Sequence, residues 1–222
     1  MQLFTKASAL ALQDDVVEND PLRALPAGTR RRLSPYAKLL VRVVYQLLDA
    51  HPQIQTAPIV LATQHGDLHR TIRLLHDLAA EQPLSPTQFS LSVNNAALGQ
   101  LSILLENTAA MTTVAAGADS FAMGWLEAGL QLQQAPDVLF IYVDEPPPEP
   151  YTEHADLPEQ AVAMAVLLSA NKGHTVTFER APTSSQTGLL KPILQLHKLI
   201  SEHRNGKVQI QGEQGLWSWH VG

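Results

Sequence analysis

Ser120 follows an apolar run and a glycine-containing turn, in Met111-Thr-Thr-Val-Ala-Ala-Gly-Ala-Asp-Ser-Phe-Ala-Met-Gly124, much as the nucleophile of an α/β hydrolase does. The Gly-x-Ser-x-Gly elbow that would expose it is missing from Gly117-Ala-Asp-Ser120-Phe-Ala, so Asp119 and Ser120 read more simply as helix caps. A stand-alone serine acyl-thioester hydrolase using Ser120 is the alternative enzyme reading. His65 and His69 stand four residues apart, a spacing that pairs metal ligands on a helix, but Gly66 falls at an expected strand-helix turn and separates them. Arg30, Arg31 and Arg32 form a cationic cluster before an expected helix start, where positive charge is mildly unfavourable, which suggests either an acidic partner or pairing within the subunit. His174, His197, His203 and His220 have no spacing that suggests a joint site. There is no cysteine, which excludes thiolate nucleophiles, Cys-His catalysis, disulfides and thiolate zinc sites.

The elements that must position these residues alternate between strand and helix periods. Leu3 and Phe4 open a short strand, and residues 13 to 30 form an irregular connection. Ser34-Pro35 starts a helix with Tyr36, Leu39, Leu40, Val43, Val44, Leu47 and Leu48 on one face. Ile59 to Thr63 is a strand, and the helix after Gly66-Asp67 turns Leu68, Ile72, Leu75 and Leu78 inward. A further helix spans Asn94 to Glu106, with Ala97, Leu101, Leu104 and Leu105 inward. Met111 to Ala115 is a buried strand, Ala116-Gly117-Ala118 a turn, and Asp119 to about Gln134 a helix. Val138 to Val143 is an apolar run of the kind found in central strands covered on both faces. Pro146 to Pro150 reads as a stiff loop. Ala161 to Ser169 and Thr175 to Glu179 read as a hairpin turning at Asn171-Lys-Gly173, followed by a helix over Leu189 to His203 and a closing strand pair at Val208, Ile210 and Trp217 to Val221. This order predicts one α/β domain over residues 1–222: a mixed, mostly parallel sheet flanked by helices (core 1–170), with a short C-terminal α+β extension (171–222).

Bulk properties narrow the function classes. With 45% hydrophobic residues the chain can bury a sizeable core, and a formal net charge of −6 argues against nucleic acid as a general partner. The first residues lack the pattern of a secretory signal, and no run approaches the ~20 apolar residues of a membrane span, so a cytoplasmic protein is expected.

Several strings, in shared order, resemble the N-terminal half of the thiolase fold as used by β-ketoacyl synthases. Arg31-Arg32-Leu33-Ser34 is similar to the family's Arg-Arg-Met-Ser, and Ile59-Val-Leu-Ala-Thr-Gln-His-Gly66 to its second strand and glycine turn. Ser85-Pro86 with Asn94-Asn95-Ala96-Ala97-Leu98-Gly99 resembles its Ser-Pro and Pro-Asn-Met-Ala-Ala-Gly stretch. The resemblance runs over roughly residues 1 to 170. Setting Ala122-Met-Gly124 on the family's Ala-Ile-Gly puts Ala116 where the nucleophilic cysteine belongs.

The resemblance implies a thiolase-like half fold and an inactive site. The family's catalytic histidines and lysine lie in Gly-Thr-Gly-Thr and Gly-Phe-Gly-Gly contexts of a C-terminal half, and neither string occurs here. A condensing enzyme with a different nucleophile would need a partner to supply the histidines. The resemblance is therefore to truncated chain length factors, the cysteine-less partners of ketosynthases in type II polyketide, aryl polyene and fatty-acid-like systems. It implies a ketosynthase heterodimer, an acyl carrier protein as indirect partner, and no cofactor or metal. Met111, Thr112, Thr113 and Val114 would form the strand that pairs across the dimer axis. Gln88 and Phe89 would line the acyl tunnel, Phe89 being weighed against ordinary core filling. Arg30, Arg31 and Arg32 are the candidate carrier-protein contacts.

Overall fold

The computed structural model describes residues 1–13, 20–149, 151–153, 158–181 and 188–222. The strands are β1 (Gln2–Leu12), β2 (Ile59–Ala62), β3 (Met111–Val114), β4 (Asp137–Asp144), β5 (Val162–Ser169), β6 (His174–Ala181), β7 (Gly206–Gln211) and β8 (Leu216–Val221). The helices are α1 (Ala27–Arg32), α2 (Pro35–Leu48), α3 (Leu68–Ala79), α4 (Pro86–Ser90), α5 (Ala96–Leu105), α6 (Ser120–Gln131) and α7 (Leu190–Ser201). All eight strands join one sheet in the order β3-β2-β4-β5-β1-β6-β8-β7.

Strands β4 and β5 are buried at every residue, as an apolar run in mid-sheet requires. Alternate side chains divide into two cores. Ile59, Leu61, Leu139 and Ile141 face the layer of α2 and α5, whereas Val60, Val138, Phe140 and Tyr142 face α6 and α7. The expected face of α2 is inward, with only Leu48 half exposed, and Ser34 caps the helix by accepting from the Ala37 amide at 3.1 Å. Between α6 and the sheet, Gly124 permits a close approach: a Cβ there would lie 2.5 Å from Cβ of Ala62 and 3.0 Å from Phe140.

Four expectations change. The sheet is mixed, but only β2–β3 and β2–β4 pair in parallel, because β5 enters antiparallel between β4 and β1. The expected hairpin of β5 with β6 is absent, since β1 lies between them and pairs with both. β1 is also a full eleven-residue strand rather than a short one. Its polar residues hide it: Lys6 bonds Asp137 at 2.6 Å, and Ser8 bonds His197 at 3.0 Å, so the strand carries no clean apolar run. On α3, Ile72 and Leu74 are buried, but Leu75 and Leu78 are 50% and 59% exposed.

Residues 171–222 continue the same sheet. The closing strands pair as expected, and Trp219, fully buried, stands edge-on to Phe121 and Trp125 of α6. Pro146 to Glu149 form an irregular connection between two adjacent strands, β4 and β5; Pro150 lies outside the described residues. Among the described residues, no helix is long and apolar enough to cross a membrane.

The contact at Gly124 gives a direct check on this packing. Gly124→Val should destabilise the protein by about 2–3 kcal/mol, seen as a lower urea midpoint with unchanged slope.

Candidate functional site

The C-terminal ends of β2, β3 and β4 stand side by side, with Ala62 in register with both Val114 and Tyr142, and the Thr63 amide bonding the Val114 carbonyl at 3.1 Å. Three features meet at this end of the sheet: the turn at Ala116, a pair of buried carboxylates, and a cleft rimmed by arginines.

The turn is closed by its own serine. Ser120 Oγ accepts from the Ala116 amide at 2.9 Å and donates to the Gly117 carbonyl at 2.7 Å, with only 2% of the residue exposed. No histidine or carboxylate bonds this hydroxyl among the described residues, so a base to activate it is not in place. Asp119 occupies the N-cap position without a capping bond. Its carboxylate accepts instead from Trp217 Nε1 at 2.6 Å and the Gln214 amide at 3.0 Å, anchoring the β7–β8 turn. Gly117 has a φ of +56°, and a Cβ there would meet Glu213 Oε1 at 2.5 Å. The C-terminal hairpin thus lies against the turn that carries Ala116.

At the end of β4, Asp144 accepts from Thr63 Oγ1 at 2.8 Å and from the Gln64 amide at 3.0 Å. Burial pushes its pKa up to about 6, against the opposing help of Tyr142, Thr63 and the Gln64 amide. Tyr142 Oη lies close enough to favour the ionised carboxylate without forming a well-shaped hydrogen bond. Glu145 is raised to about 7, first by burial and then by the charges of Asp67 and Asp144. Asp67 is compensated, its carboxylate accepting from the Arg70 amide and from Arg70 Nε at 3.0 Å. This acid cluster escaped sequence reading, although two adjacent carboxylates directly after a wholly apolar strand are a legible signal.

Glu145 and Arg70 open onto a cleft of about 570 Å³ whose walls include Arg31, Arg32, Arg73 and Gln88. Two of the three clustered arginines and one tunnel candidate therefore share a site. Arg30 does not; its guanidinium points to the Leu22 carbonyl at 3.4 Å. The cluster sits in the last turn of α1, where cations complement the helix dipole, which corrects the expected penalty. None of the three makes an ion pair among the described residues.

Phe89 is 62% exposed, so it is not core filling. Met111 to Val114 form the outer strand of the sheet. His65 precedes α3 and lies outside it, while His69 bonds the Pro146 carbonyl at 3.0 Å, so the two do not share a helix face. His174 and His203, which had no telling spacing, are brought into edge-on ring contact at 5.6 Å. His220 bonds Glu179 at 3.1 Å.

A thiolase-like α/β sheet in a chain without cysteine defines the class. The family model described as "Beta-ketoacyl synthase, N-terminal domain" matches residues 5–220, and the chain belongs to this family. The match extends beyond the 1–170 that resemblance alone covered. No curated protein sequence matches the chain. Among solved structures it is similar to a chain of the ketosynthase (ApeO) in complex with its chain length factor (ApeC) from Xenorhabdus doucetiae, at 26% identity, with 99% of each chain covered and a TM-score of 0.80. A chain of the ishigamide ketosynthase/chain length factor shares the fold at 13% identity, covering 99% of this chain and 98% of that one, TM-score 0.73. So does a chain from the AntDE:AntF complex of a type II polyketide synthase carrier protein and ketosynthase, at 10% identity, 99% and 98% coverage and a TM-score of 0.68.

The raised carboxylates predict the pH response. Both ordinary values lie below the folded ones, so the native state holds more protons than the unfolded chain between about pH 4 and 7, and stability falls as pH rises through that window. Urea midpoints should increase from pH 8 to pH 5. Glu145→Gln should flatten this profile and stabilise the protein at pH 8 by on the order of 1–2 kcal/mol.

Proposed function

We propose that this chain is a noncatalytic, chain-length-factor-like subunit that pairs with a catalytic ketosynthase in the cytoplasm and shapes its acyl tunnel in polyketide, aryl polyene or fatty-acid-like biosynthesis. The observation that carries this reading is the open edge of β3. Ala110 and Val114 direct their carbonyls to β2, so the period of two turns the N–H and C=O of Thr113 outward. No charge guards the strand, in contrast to the opposite edge, where β7 carries Lys207. Thr113 Oγ1 and Gln131 Oε1 are buried there and have no hydrogen-bond partner among the described residues. Exposed apolar side chains occur on the helices before and after the strand, with Ile103 at 77% and Leu130 at 48%. Such an edge suits a strand from another subunit.

The choice of a ketosynthase as occupant rests on chemistry. A sequence without cysteine has no thiolate to accept an acyl chain, so pairing with a second copy would give an inert dimer. A catalytic partner would hold the cysteine and histidines and carry out the Claisen condensation of a carrier-bound acyl chain with malonyl carrier protein. The similar structure from Xenorhabdus doucetiae is itself a ketosynthase with its chain length factor. Within the pair, this chain would exclude water and limit tunnel depth, with Gln88 and Phe89 at the lining. Arg31 and Arg32, which line the cleft, would attract an acidic carrier protein, whereas Arg30, directed to the Leu22 carbonyl, would contribute less.

Native mass spectrometry after co-expression with the ketosynthase encoded nearest to it should show a one-to-one complex, and the chain alone should aggregate or self-associate. A stable unpartnered monomer would overturn the proposal. Thr113→Pro, which removes an outward N–H while leaving the bonds to β2, should weaken the complex at least about tenfold with little change in folding. In the reconstituted pair, Phe89→Ala should lengthen the products; an unchanged distribution in an intact complex would remove Phe89 from the tunnel.

A further inference from the structure

Helix α4 is the least buried helix among the described residues. None of its five residues is buried, and it rests on α3. The side-chain bond that ties it to the body comes from Arg70, whose Nη1 donates to Gln88 Oε1. Arg70 is only 9% exposed and cannot swing freely, because its Nε is held by Asp67 at 3.0 Å and its amide by the other oxygen of the same carboxylate. The charges of Asp67 and Asp144 reach Glu145, so the guanidinium stands at the rim of a three-carboxylate cluster that disfavours its departure. Arg70 is a rigid arm with a fixed base and one free end, and that free end holds α4.

Neighbouring residues on a helix point about 100° apart. Holding Gln88 towards Arg70 therefore turns Phe89 away from the cleft and outward, where its ring is 62% exposed. We infer that Arg70 is a positioning residue: by gripping Gln88 it sets the orientation of α4 and hence the place at which Phe89 stands. The consequence for product length rests on the reading of Phe89 as a tunnel residue; the grip itself does not. Ser85 at the N-cap and the Thr87 and Phe89 carbonyls supply only local bonds, which fix the turn but not its position on α3.

Gln88 is the residue to vary, because it is exposed and its replacement leaves the Asp67–Arg70 pair intact. In the purified ketosynthase complex, Gln88→Leu should speed amide exchange over residues 86–93 by about tenfold, without lowering the melting temperature, and should broaden the product lengths. Gln88→Glu keeps an acceptor for Arg70 and should restore both slow exchange and the original products. A purely structural role would not give this rescue. Unchanged exchange in Gln88→Leu, or failure of Gln88→Glu to rescue it, would overturn the inference. Faster exchange with rescue but unaltered products would support the grip and count against the tunnel role of Phe89.

Discussion

Strands β4 and β5 are buried along their whole length, and the rest of the molecule is arranged to keep water from both of their faces. One layer of cover comes from α2 and α5, the other from α6 and α7, so every neighbouring element must be apolar on the side it turns to them. The constraint also reaches the ends of the strands. Where β4 runs out, Asp144 and Glu145 emerge into a region still shielded from solvent, and their raised pKa values are the electrostatic cost of ending a buried strand with two acids. The hydroxyl of Thr63 and the amide of Gln64 offset part of that cost at Asp144.

The two sheet edges behave differently, and the difference carries functional meaning. β7 is paired on one side with β8, covered by α7, and carries Lys207, Gln209 and Gln211 at alternate positions. Such an edge resists further pairing. β3 has only four residues and no charge, and two buried polar atoms beside it lack a partner among the described residues. A monomer gains nothing from leaving these groups unsatisfied, since each costs on the order of 1–3 kcal/mol. A partner strand would pair the outward N–H and C=O of Thr113, so the proposed heterodimer rests on the edge rather than on the cleft.

Much of this was legible in the residues. The Ser34-Pro35 start of α2, the apolar face behind it and the wholly buried β4 follow directly from local capping and burial periods. The place of β1 did not, because Lys6 and Ser8 satisfy themselves through partners 131 and 189 residues away, and such long-range compensation leaves no local pattern. Leu75 and Leu78 misled for the opposite reason: their spacing is that of a buried face, yet among the described residues no element buries them. At the candidate site, Gln88, Phe89 and the β3 residues were singled out through order and resemblance. Asp144, Glu145 and Arg70 were not, since their importance arises from burial that only the folded chain creates.

In the proposed reading, the turn at Ala116 stands where a ketosynthase carries its nucleophile. In a β-ketoacyl synthase such a strand-turn-helix must leave its residue open to an acyl chain. Here Ser120 binds the turn from inside, while Asp119 holds the β7–β8 turn against it from outside. Trp217 and Trp219 extend that attachment, one through its indole N–H to Asp119 and the other into the aromatic cluster on α6. Ser120, which closes the turn, and Asp119, which binds the C-terminal hairpin, are neighbours in the chain, and this couples the turn to the hairpin. In the proposed role that coupling is an advantage, because a subunit that only shapes a neighbour's tunnel benefits from a rigid, closed turn beside its pairing edge.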